Sequence, residues 1–179
     1  MYMLMNGYKM VADEIKQILF SDPEMMQRIN DLPLHMTERN VQDFFENYCE
    51  ASIYRLMHRP SFPLLSLGCR RVIVPRPLFI QWYLCRCMYI TDGPLENEQV
   101  PLQIDEGIRI KFDNLPLHLN SYTVQSFLDF CPATIYRMIR EGKIPHIDTG
   151  VQRPLIPRPL FQDWYCKKFA KASKTKFDN

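Results

Sequence analysis

Basic side chains recur in this chain at matched positions. Arg55 lies within Ile53-Tyr54-Arg55-Leu56-Met57, and Arg137 lies within Ile135-Tyr136-Arg137-Met138-Ile139, 82 positions further on. Cations gathered on repeated elements suit an anionic polymer as partner. Other arrangements that do chemistry do not stand out: no nucleophile beside a base, no glycine-rich phosphate loop, no paired acidic site. The six cysteines show no C-x-x-C with histidines at zinc spacing. His35 and His118 have no carboxylate or cysteine at ligand spacing, so a structural role is expected of both. An enzyme, a metal site, a cofactor and a small-molecule substrate are therefore not expected.

The recurrence extends well beyond the arginines. From Tyr54 to Tyr83 each residue has its counterpart 82 positions later without a gap, with Pro75-Arg76-Pro77-Leu78-Phe79 answered by Pro157-Arg158-Pro159-Leu160-Phe161 and Trp82-Tyr83 by Trp164-Tyr165. Nearer the start, Leu32-Pro33-Leu34-His35 answers Leu115-Pro116-Leu117-His118 at an offset of 83, so the first copy carries one extra residue, best absorbed in a turn. The chain is an internal duplication of a module of about 55 to 60 residues. The pattern divides it into an N-terminal helical segment (1–30), repeat 1 (31–88), a linker (89–114) and repeat 2 with a basic tail (115–179).

Charge follows the same division. Residues 32–88 hold 7 Lys/Arg against 4 Asp/Glu and residues 115–179 hold 10 against 5, whereas residues 89–114 hold 2 against 6. Basic modules flanking an acidic connector fit two repeats that face a polyanion. No apolar run approaches the roughly 18 residues of a membrane span, and Met1-Tyr2-Met3-Leu4-Met5 lacks a basic leader and a small-residue cleavage site. The cysteines are expected as reduced thiols in the cytoplasm.

Within repeat 2, Asn120 can cap a helix whose Val124, Phe127 and Leu128 fall at i, i+3 and i+4. A second helix follows from Pro132, with Ile135, Met138 and Ile139 on one side, Thr134, Arg137 and Arg140 outward, and Glu141-Gly142 as its stop. Two short helices joined by about four residues have the layout of a helix-turn-helix. Ile144–Ile147 and Val151–Ile156 then read as a hairpin, and Pro159 opens a closing helix with Leu160, Phe161, Trp164 and Tyr165 on its apolar face. Repeat 1 follows the same order, so the expected fold is mainly α with small β-hairpin wings, a tandem of winged helix-turn-helix modules. Tyr54, Tyr136, Trp82, Trp164, Phe79 and Phe161 are expected in the cores.

Pro132-Ala133-Thr134-Ile135-Tyr136-Arg137-Met138-Ile139-Arg140-Glu141-Gly142-Lys143-Ile144-Pro145, with Ile156-Pro157-Arg158, Leu160 and Trp164, resembles the small excisionase-type DNA-binding modules of bacteria and their mobile elements, relatives of the MerR-like winged helices. Repeat 1 departs from the pattern, with Arg59-Pro60-Ser61 for Glu-Gly-Lys, and both copies carry a glutamine, Gln42 and Gln125, where that family usually has an alanine. The resemblance implies that the second helix of each module enters the major groove of double-stranded DNA, with Thr134, Arg137 and Arg140 in repeat 2 and Ser52, Arg55 and Arg59 in repeat 1 at bases and phosphates. It also implies wings in which Arg70, Arg71, Gln152 and Arg153 lie over the flanking groove, and a phosphate contact from Lys143.

The implied function is an excisionase-like directionality factor working with a site-specific recombinase, or a transcriptional regulator of a mobile element or plasmid, in the bacterial cytoplasm on the nucleoid. The linker of roughly 25 residues would set the effective concentration of the second reader, with half-sites about one helical turn apart. From another class comes a protein-interaction adaptor, favoured at repeat 1 by the apolar wing Leu64-Leu65-Ser66-Leu67. The stripe Met10, Val11, Ile15, Ile18, Leu19, Met25, Met26, Ile29 is expected to pack on repeat 1 or to join two chains as a homodimer.

Overall fold

The computed structural model describes residues 8–9, 12–46, 48–66, 72–91, 106–150 and 154–177. The described residues are mainly helical, with small antiparallel strand pairs. Strand β1 (Tyr8–Lys9) leads to α1 (Ala12–Ser21) and α2 (Pro23–Asn30). The break between these helices is local chemistry: Asp22 turns extended, its Oδ1 accepts the Met25 N–H at 3.0 Å, and Pro23 occupies the first turn. Repeat 1 continues with β2 (His35–Met36), α3 (Glu38–Phe45), α4 (Glu50–Met57), β3 (Leu65–Ser66), β4 (Val72–Pro75) and α5 (Arg76–Arg86). Thr37 and Asn40 cap α3 reciprocally, the Thr37 N–H donating to Asn40 Oδ1 at 2.8 Å and Thr37 Oγ1 accepting from the Asn40 N–H at 3.4 Å.

Next come β5 (Cys87–Met88), β6 (Ile90–Thr91) and α6 (Glu106–Asp113). The second copy then runs β7 (His118–Leu119), α7 (Ser121–Leu128), α8 (Pro132–Arg140), β8 (His146–Ile147), β9 (Ile156–Pro157) and α9 (Arg158–Phe177). The expected cap Asn120 accepts the Thr123 N–H at 3.0 Å, and Gly142 ends α8 at φ 69°, a left-handed position that glycine takes at little cost. In the first copy β4 lies between β2 and β3, all antiparallel. In the second, β9 pairs with β7, and a single bridge from Ile147 to Leu155 closes the hairpin.

The linker reading is corrected. Helix α6 lies 83 residues after α2, and Phe112 is buried as is its counterpart Ile29. The repeat unit therefore begins one helix before residues 31 and 115. Exposed Glu106, Arg109 and Asp113 make this stretch read as a solvated connector, because a helix anchored by one buried phenylalanine and the half-buried Ile108 has a weak apolar signal. Strand β5, the last two residues of repeat 1, pairs antiparallel with β8, so the end of repeat 1 extends the sheet of repeat 2. Strand β6 pairs with β1.

Nor are the copies tethered at a distance, since they share one core. The His118 ring sits against Phe44 and Phe45 of α3, with centroids 5.0 and 5.4 Å away, and its Nε2 is 2.9 Å from the Tyr83 hydroxyl of α5. Tyr48 meets Thr149 at 3.1 Å between hydroxyls, and Tyr89 donates to Asp163 at 2.5 Å. Arg158, 8% exposed, is ion-paired with Asp22 and Glu24, each at 2.9 Å, and donates to the Leu115 carbonyl at 3.0 Å. Helix α1 packs on both α5 and α9, with Ile15 and Leu19 buried. Of the described N-terminal stripe, Ile15, Leu19, Met25 and Ile29 are thus buried within the chain, and Met26 is exposed.

Burial pushes the His118 imidazole down to about 3, and the Arg28 charge adds to the effect against an opposing hydrogen bond with the Phe44 backbone. Unfolded histidine titrates near 6.5, so between those values the unfolded chain binds the extra proton and stability falls as pH falls, by about 1.4 kcal/mol per unit. Denaturant titrations of the wild type should lose about 2 kcal/mol between pH 7.5 and 5, and His118→Gln should flatten that slope. An equal slope in the variant would contradict the assignment. Asp22→Asn keeps the helix cap but removes the buried charge beside Arg158; it should cost about 2 kcal/mol in urea unfolding, with Glu24 still in reach of the guanidinium. Glu24→Gln, on the exposed side of the pair, should cost less than about 1 kcal/mol.

Candidate nucleic-acid interface

Helix α8 buries Ile135 and Ile139 and turns Ala133, Tyr136, Arg137 and Arg140 to solvent. Those four positions follow i, i+3, i+4 and i+7, so they form one stripe. Helix α4 buries Ile53, Leu56 and Met57 and exposes Ala51, Tyr54, Arg55 and His58 in the same order. An Ala-Tyr-Arg stripe is therefore presented by both copies.

The tyrosines are a correction to the expected cores: Tyr54 and Tyr136 are 54% and 46% exposed. The signal was present in the spacing. Each tyrosine directly follows the isoleucine that anchors its helix, about 100° round the axis and off the buried stripe. The Tyr136 hydroxyl accepts from Ser121 Oγ at 3.0 Å, and the Tyr54 ring lies against His58 with centroids 3.9 Å apart. Trp82, Trp164, Phe79 and Phe161 are buried as expected.

The surroundings of the two stripes differ. No acidic residue occupies the first turn of α8, and Lys143 extends its basic end while paired with Glu141 at 2.8 Å. The Glu141 carboxyl is held below its usual range by that hydrogen bond, with the Lys143, Arg137 and Arg140 charges adding to it. A cavity of about 430 Å³ lies between α8 and the following hairpin, lined by Tyr136, Arg137, Arg140, His146 and Gly150 among others. In the first copy Glu50 stands in the first turn of α4, beside a groove of about 900 Å³ that also carries Glu38, Asp43 and Glu46 with Arg28 and Arg39. Carboxylates there oppose a polyanion.

Of the residues expected to touch a ligand, Arg55, Arg137 and Arg140 are exposed on the stripes. Thr134 is half-buried, its Oγ1 3.1 Å from the Cys131 sulfur at the head of α8, and this hydrogen bond lowers the Cys131 thiol from its usual range. Ser52 does not join them: it is buried, with its hydroxyl 3.3 Å from Cys49 Sγ, because it sits beside Ile53 on the inner side of α4. Arg59 is diverted as well, donating to the Gly150 carbonyl in the turn of the second copy's hairpin. Arg70, Arg71, Gln152 and Arg153 lie outside the described residues.

Among the described residues no group of three or more His, Cys, Asp or Glu side chains could hold a metal ion, and no helix is long and apolar enough to cross a membrane. No family model matches the chain, and no curated protein or solved structure is detectably similar to it.

Gly150 has φ +65°, and a Cβ there would come within 2.8 Å of Arg59 Cζ. Gly150→Ala should destabilise the protein by about 1 to 2 kcal/mol, and by less in an Arg59→Ala background, where only the backbone strain remains. Equal costs in the two backgrounds, measured by thermal unfolding, would mean that Arg59 does not hold this turn.

Proposed function

We propose that this chain is a non-enzymatic, sequence-specific binder of double-stranded DNA, built as a tandem of winged helix-turn-helix modules of the excisionase type. The carrying observation is the Ala-Tyr-Arg stripe, exposed on the second helix of both copies opposite the buried Ile53, Leu56 and Met57 in one and Ile135 and Ile139 in the other. Arginine forks suit guanine edges and phosphates, and the tyrosine hydroxyl and alanine methyl suit a phosphate and a thymine methyl. Helix α8 is the stronger reader in this proposal, being free of first-turn acids and backed by Arg140 and Lys143. Helix α4 is the weaker one, with Ser52 buried, Arg59 engaged and Glu50 at its head.

Because the copies share a core, this reading assigns them one composite site of fixed spacing. The biological role within it is an excisionase-like factor acting beside a site-specific recombinase, or a regulator of a mobile element or plasmid. A second reading, in which repeat 1 contacts protein while repeat 2 reads DNA, is favoured by the exposed Leu34, Leu65 and Leu78 of repeat 1.

Selection of bound duplexes from a random pool, followed by affinity measurements on the enriched site, tests both. Arg137→Ala should weaken specific binding by about 1 to 3 kcal/mol and relax preference at one position, with a smaller loss for Arg55→Ala. Lys143→Ala should weaken all sequences alike and shallow the salt dependence. A pool with no enriched site, or unchanged affinity in both arginine variants, would overturn the assignment.

A further inference from the structure

The two copies differ in what covers the same surface. Leu34 and Leu78 are 62% and 51% exposed, whereas their counterparts Leu117 and Leu160 are 1% and 0% exposed. Leu65 is 44% exposed and its counterpart Ile147 is 1%. His35 is exposed, whereas His118 is fully buried. This front face of the second copy is covered because it docks on the first. Among the described residues nothing covers the same face of the first copy.

The opposite, rear face shows the inverse. Phe44, Phe45, Tyr48 and Tyr83 of the first copy are buried, and they receive His118 and Thr149 from the second. Their counterparts Phe127, Leu128 and Tyr165 are only half-buried, and Phe130, at the position of Tyr48, is 45% exposed. Among the described residues, each chain thus holds one closed front-to-rear junction and one open face of each kind.

The electrostatics repeat too. Arg158, the front-face cation of the internal junction, has its counterpart in Arg76, whose Nη1 donates to the Leu32 carbonyl at 2.9 Å as Arg158 does to that of Leu115. Its acceptor Asp22 heads α2, and in the sequence Asp105 stands 83 residues later, directly before α6. The open front face thereby retains its arginine, Arg76, and the sequence supplies an aspartate, Asp105, at the position that matches Asp22.

We propose that copies of this chain associate head to tail, the front face of repeat 1 in one chain seating on the rear face of repeat 2 in the next, through the junction that already joins the repeats within a chain. Such a heterologous contact uses different surfaces on the two partners and leaves one of each free, so it propagates. Strand β5 reinforces the internal junction by pairing with β8, whereas the matching positions 169 and 170 lie within α9, so the junction between chains is the weaker and its assembly depends on concentration. The proposal is independent of DNA binding.

Sedimentation velocity of the full chain without DNA tests it. Wild type should progress from monomer through dimer to longer species as concentration rises. The front-blocked double variant Leu34→Glu, Leu78→Glu and the rear-blocked double variant Lys111→Glu, Phe130→Glu, in which Lys111 is the counterpart of Arg28 near His118 in the internal junction, are all at exposed positions and should each remain monomeric with unchanged circular dichroism. Mixed in equal amounts, they should form a one-to-one dimer and nothing larger, through the one intact face on each. A wild type that stays monomeric at every concentration would overturn the proposal. So would a rear-blocked variant that dimerises alone, which means a two-fold contact, or a mixture that stays monomeric.

Discussion

Everything that relates one half of this molecule to the other depends on burying two groups that water would otherwise keep, the Arg158 guanidinium and the His118 imidazole. An arginine 8% exposed is tolerable only with its charge matched, and Asp22 matches it while also capping α2, so the same carboxylate starts a helix in one copy and anchors the closing helix of the other. The histidine remains neutral among the Phe44, Phe45 and Tyr83 rings, a desolvated position available only once the copies are docked. Around these two points the lesser contacts follow: the sheet addition of β5 to β8, the Tyr48–Thr149 hydrogen bond and the hold of Arg59 on the hairpin turn.

The docking treats the two copies unequally. The hairpin of the second copy is fixed by the first, which positions it beside α8 and forms the arginine-lined cavity. The first copy gives up Arg59 to that task and retains Glu50 at the head of its own exposed stripe. One duplicated sequence has thereby become a more basic and a less basic version of the same stripe. The same inequality leaves apolar leucines open on one copy and half-open aromatics on the other, which is how a pair of repeats cut from a longer array would look.

Much of this was legible in the sequence. The constant offset revealed the duplication, Asn120 and Gly142 marked helix ends where they are found, and the order of helix, turn, helix, hairpin and helix followed from a change of period. The exposure of Arg55, Arg137 and Arg140 followed from helical geometry. Geometry also dictated the exposure of Tyr54 and Tyr136, although aromatic type alone suggested the core. Helix α6 was hidden by its charges, since periodicity weakens when a helix is anchored by few buried positions.

What the sequence could not determine is which of two matching faces is covered. Leu34-His35 and Leu117-His118 are the same words in the same local setting, yet one pair lies in solvent and the other in the core. Periodicity reports only how a residue is turned relative to its own helix or strand. Whether that direction ends in water or in another surface is decided by residues far along the chain, Asp22 for Arg158 and Phe44 for His118, once the two copies meet. The sequence by itself determined the module, its caps and its stripes; tertiary docking decided the burial of Arg158 and His118, the diversion of Arg59 and the faces left open, because burial is a property of pairs of surfaces and not of either one.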